Sequence, residues 1–130
     1  MTESVTYSMK VRVPGGFTAE KGGVLQVDAY DVIDANVPKE TADVLVNVQP
    51  SEAGKVKALL ICSDNYTDLS FTVDEGETSI SLEAPMLLAG SGAVALLGET
   101  QNNFTFANAG TNDANVRIFV ARMAVGDAGV

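Results

Sequence analysis

Histidine and tryptophan are absent from this 130-residue chain, and cysteine occurs once. Without histidine there is no imidazole general base, no Ser-His-Asp triad and no ordinary zinc site. One cysteine, Cys62, forms no internal disulfide and holds no iron–sulfur cluster of the usual ligand set. It lies in the apolar run Ala58-Leu59-Leu60-Ile61-Cys62 and reads as a small buried hydrophobe. Basic residues are few, 8 against 17 acidic, for a formal net charge of −9. They are scattered, which disfavours a nucleic-acid or anionic-membrane partner. The missing tryptophan, with only three tyrosines, also leaves no stacked-ring platform for a sugar. The N-terminal Met1-Thr2-Glu3-Ser4 has neither the basic nor the apolar region of a signal peptide, so secretion is not expected.

What is present is strand pattern. Val5, Tyr7, Met9, Val11 and Val13 alternate with polar residues, the period of a half-buried strand. Pro14-Gly15-Gly16 ends it, and Lys21-Gly22-Gly23 reads as a second turn, with Phe17 between them as an inward anchor. Strands are expected over Val24–Ile33, Ala42–Gln49, Lys55–Ser63, Leu69–Val73, around Ile80 and Leu82, over Phe104–Phe106 and over Val116–Val120. A short helix beginning at Ser51 is the alternative for Lys55–Ser63; Gly54 and Ser63-Asp64-Asn65 favour the strand. Turn clusters at Pro50–Gly54, Asp74–Glu77 and Ala109–Asp113 separate them.

The most apolar stretch is Ala84–Gly98, without a charge from Pro85 to Gly98. It is too short and too glycine-broken to span a bilayer, which takes about 20 apolar residues. One helix over 86–97 would hold two interior glycines at about 1 kcal/mol each. The expectation is two buried strand halves joined by a Gly90-Ser91-Gly92 bend, with Leu96 in the core. The same glycines lack the lysine and the helix of a phosphate-binding loop.

The whole is expected to be all-β: a single-domain β-sandwich over residues 1–130, jelly-roll-like, of 8–10 short antiparallel strands, with 1–4 and 124–130 as flexible termini. Surface scaling gives about 6,500 Å² folded against about 19,600 Å² unfolded, enough core without staples. The charged fraction of 19% is below the usual quarter, which hints at surface covered by another subunit. Asp28, Asp31 and Asp34, or Asn112-Asp113-Asn115, could supply oxygen ligands to calcium, but neither follows EF-hand spacing. A solvated acidic face and an Asn/Asp turn are expected instead. No catalytic residue, metal ligand or cofactor is assigned, and the chain is not expected to be an enzyme.

From Ala58 to Met123 the order of segments resembles small structural proteins of tailed-bacteriophage virions, of the capsid decoration or cement type. The segments are the strand ending Ile61-Cys62-Ser63, Asp64-Asn65-Tyr66-Thr67-Asp68-Leu69-Ser70-Phe71, Ile80-Ser81-Leu82-Glu83-Ala84-Pro85 and Gly90–Gly98. Phe104-Thr105-Phe106-Ala107-Asn108 and Val116–Arg122 complete them. The resemblance implies a dimer or trimer that binds the major capsid protein or another virion protein of an assembled head. It implies a virion location after synthesis in the host cytoplasm, and carries over no site residue. A ligand-, glycan- or receptor-binding sandwich, lectin- or adhesin-like, is the alternative.

Overall fold

The chain, seen in a computed structural model, is described over residues 3–48, 55–74, 76, 78–98 and 100–123. Its strands are β1 (Glu3–Arg12), β2 (Thr18–Val27), β3 (Ala29–Val37), β4 (Thr41–Asn47), β5 (Val56–Ser63), β6 (Leu69–Val73), β7 (Ile80–Ser81), β8 (Met86–Ala89), β9 (Asn103–Asn108) and β10 (Ala114–Arg122). Among the described residues, helical turns are confined to Ser91–Leu97.

Eight strands form the body. One sheet has the order β3-β10-β5-β8 and the other β4-β9-β6-β7. Every neighbouring pair is antiparallel. Traced along the chain, β3 pairs with β10, β4 with β9, β5 with β8 and β6 with β7. This is one long hairpin, wrapped so that alternate pairs fall in opposite sheets. Such wrapping makes a jelly roll, an arrangement that buries one face of each sheet against the other.

The core follows from the period-2 alternation. Ile118 lies opposite both Ile33 and Ile61, and Val116 opposite Ala35. From the other sheet come Phe71, Phe104 and Phe106, all buried. The Phe71 ring meets Phe104 edge-on with centroids 6.0 Å apart and Phe106 at 5.6 Å, contacts that add to plain area burial. Lys55–Ser63 is indeed a strand, central in its sheet, although Cys62 is only half-buried because it points to the outer face beside Arg117.

Three buried polar side chains hold the connections. Asn108 donates from Nδ2 to the carbonyls of Val37 and Asn112 and accepts from Gly110 N–H. Gln101 donates to Gly98 O at 2.8 Å and to Val94 O, satisfying carbonyls at the end of the helical turns. Arg122 pairs with Asp31. Half-buried Asp74 adds a fourth tie, accepting from Asn102 N–H, Asn103 N–H and the Thr100 hydroxyl.

Several expectations are corrected. Gly22 and Gly23 do not turn the chain; both sit inside β2, opposite Ser8 and Tyr7. Val24–Ile33 is not one strand but parts of two, broken at a bend on Asp28. Glu3 and Ser4 lie in the β1 ladder, opposite Val27 and Gln26. Only Met86–Ala89 of the apolar stretch is strand. Gly90, at φ 94°, turns the chain into one α-helical and one 3₁₀ turn. The helical turns are short enough to carry one of the two glycines: Gly90 stands before them and only Gly92 lies inside. Val94 is buried while Leu96 is 82% exposed, so Leu96 is not core. The Pro50–Gly54 turn, Glu75 and Glu77 of the acidic turn, and the 124–130 tail lie outside the described residues.

Candidate interaction surface

β1 and β2 belong to neither sheet of the body. They pair only with each other, in a ten-residue register from Glu3↔Val27 to Arg12↔Thr18. At about 3.3 Å per residue this arm is roughly 33 Å long. The chain passes from the arm to the body at Asp28, whose N–H donates to Arg122 O before β3 begins.

The arm has two unlike faces. Ser4, Thr6, Ser8, Lys10 and Arg12 line the polar one; Val5, Tyr7, Met9 and Val11 line the apolar one, with Leu25 and Val27 opposite. At the base Val5, Leu25 and Val27 pack on Ala58, Phe119 and Ala121, on the outer face of the β3-β10-β5-β8 sheet. Farther out the body no longer reaches. Met9, Val11 and Val13 are exposed, Val11 at 57%, and so is Phe17 at 63%. Phe17 is therefore no inward anchor: its loop lies at the far end of the arm, where Val13 N–H donates to Phe17 O.

Gly22 and Gly23 keep the arm paired. A Cβ on Gly22 would lie 2.5 Å from Tyr7 O, and one on Gly23 would meet the Tyr7 ring. The Tyr7 ring takes the place of the side chain that Gly23 lacks, a device that offsets the weakness of glycine in a strand.

Between the arm's base and the sheet runs an apolar groove of about 440 Å³, lined by Val5, Tyr7, Leu60, Leu87, Ala89 and Phe119 among others. Beside it Tyr30 and Val32 are exposed on the same outer face, and the Tyr30 and Phe119 rings lie 5.5 Å apart. The sequence shows the alternation of β1 but not that half of its apolar face is bare. The signal that could have shown it is Lys21, the cross-strand partner of Met9 on that same face.

The acidic residues singled out from sequence go to structural duties. Asp34 makes a two-pronged pair with Arg117, 2.7 Å from Nε, and the guanidinium holds its carboxyl below the ordinary value of 3.8. Asp31 points to the other side of the strand, to Arg122. Asp113 accepts from Lys39 N–H. Asn115 donates from its backbone and side chain to Asp64, which lowers that carboxyl as well. Among the described residues no three His, Cys, Asp or Glu side chains group to hold a metal ion. No helix among them is long and apolar enough to cross a membrane. Comparison with protein-family models, with curated proteins and with solved structures finds no match.

Proposed function

We propose that this chain is a non-enzymatic structural subunit of a phage-like virion, binding and stabilising the assembled capsid as a decoration or cement protein. The observation that carries this reading is a jelly-roll body bearing an arm whose apolar face is half uncovered. A paired hairpin is marginal in water without further packing. A chain that keeps one exposed, with valine, methionine and phenylalanine bare on it, is built to place that face on another protein. Jelly rolls recur in viral capsid domains and in lectins, an analogy of fold and not of site. Between those two, the order of segments from Ala58 to Met123 favours the virion, and the lack of tryptophan weighs against a sugar platform. Such a subunit stabilises a shell by binding its assembled form better than its free parts.

The test is to mix the purified protein with undecorated capsids and sediment them. Protein in the pellet at a saturating ratio supports the reading; protein wholly in the supernatant overturns it.

A further inference from the structure

We infer that the outer half of the β1–β2 arm docks on a second copy of this chain, its tip entering that copy's apolar groove between β1 and the β5–β8 edge. The inference rests on the reading of the chain as a structural subunit, and names the partner of its bare surface.

Three observations select a second copy. The first is continuity of pattern. The apolar face that packs on the chain's own body at Val5, Leu25 and Val27 continues outward along β1 through Met9, Val11 and Val13, with Lys21 set beside Met9. The groove offers a like surface, Leu60, Leu87 and Phe119, in a space with room for more than one apolar side chain. The second is charge. Between Glu3 and Val27 the chain carries Lys10, Arg12 and Lys21 against Glu3 and Glu20, a net +1; since the whole is −9, the rest is −10. An arm of one sign and a body of the other attract between copies, whereas two bodies repel. The third is area. Met9, Val11, Val13 and Phe17 all stand exposed on the arm, and a standard interface removes about 800 Å² per partner.

Arm and groove are different surfaces. Two chains exchanging arms make a closed dimer, and one-way docking makes a ring or filament. Both use the same contact.

The experiment is sedimentation velocity on the full chain over a concentration series, with three kinds of sample. Wild type is expected to form species larger than its 13.5 kDa that dissociate as salt is raised. An arm variant, Val11→Ser with Val13→Ser and Phe17→Ser, changes only exposed side chains and is expected to stay at 13.5 kDa. A groove variant, Leu87→Lys, is expected to do the same; Thr6→Arg, exposed at the groove's rim, repeats the test should Leu87→Lys not fold. Each defective variant keeps the surface that the other lacks, so mixing them is expected to restore a one-to-one complex. A wild type that is monomeric throughout, an arm variant that associates as wild type does, or a mixture that stays monomeric overturns the inference. Sedimenting the arm variant with capsids separates the two readings. If wild type associates with itself but leaves capsids undecorated, the arm contact stands and the capsid reading fails. A monomeric arm variant that still pellets with capsids supports both, since it assigns the arm to contacts between copies.

Discussion

The Asp34–Arg117 and Asp64–Asn115 contacts give the molecule a readable acid response. Each carboxyl is held below 3.8, the first by the Arg117 guanidinium and the second by the Asn115 N–H groups. A carboxyl lowered by folding contributes stability above its unfolded value and loses it as pH falls through its folded one. Both contributions are therefore intact at neutral pH and disappear below 3.8. Both sites are exposed, so solvent and salt keep the contributions small. Carboxyl carbon NMR across an acid titration should show both midpoints below 3.8, and Arg117→Gln should return Asp34 towards that value while Asp64 stays. A second residue-scale contrast lies in the helical turns. Leu96→Ala, at an 82% exposed site, should change unfolding free energy by no more than about 0.5 kcal/mol. Val94→Ala, at a buried one, should cost about 1.5–3 kcal/mol by urea denaturation. Nothing in the local sequence tells these two apart, since both stand in one apolar run; position around a single helical turn decides it. The same holds for Asn108 and Gln101. Neither stands out in sequence; Asn108 is buried where the carbonyls of Val37 and Asn112 converge on it, and Gln101 where it meets the carbonyls of Val94 and Gly98.

At the scale of elements, the β strands of the body were legible because side chains in a strand alternate every second residue whatever the strand pairs with. Ala42–Gln49, Lys55–Ser63, Leu69–Val73 and Val116–Val120 emerge close to their observed bounds for that reason. Elements whose conformation depends on a partner were not legible. Gly22-Gly23 has turn composition, yet it lies in a strand because Tyr7 crosses it from β1. Gly22→Ala should test this device, since the added Cβ would meet backbone at Tyr7 O and the partner has no flexible end to move. Amide exchange in β1 and β2 should accelerate at least about tenfold, the equivalent of some 1.4 kcal/mol. Exchange in β5 and β10 should be unchanged, because the arm meets the body only at its base. Equal protection in the arm would show that the strands shift to accommodate the methyl.

The whole molecule couples a closed body to an open arm. The body's core is shared by both sheets around Phe71, Phe104 and Phe106, and unfolding is expected to be cooperative. If copies bind through the arm, association acts as a ligand for the folded state. The Tm of wild type should then rise with protein concentration and fall with added salt. The arm variant should show a Tm independent of concentration, measured by scanning calorimetry. A wild-type Tm that does not move with concentration would count against association as a source of stability.

The properties legible in the order of residues are local and periodic. Alternation gives the all-β class, the positions of most strands, and which side chains of a strand share a face. The missing histidine removes whole families of chemistry. The properties that arise only on folding are non-local. The wrapping of one long hairpin sends its alternate pairs to opposite sheets, and the chain ahead of it becomes a separate arm. Period-2 alternation says that Met9, Val11 and Val13 look the same way as Val5. Whether anything stands opposite them depends on how far the body extends, which no stretch of β1 encodes.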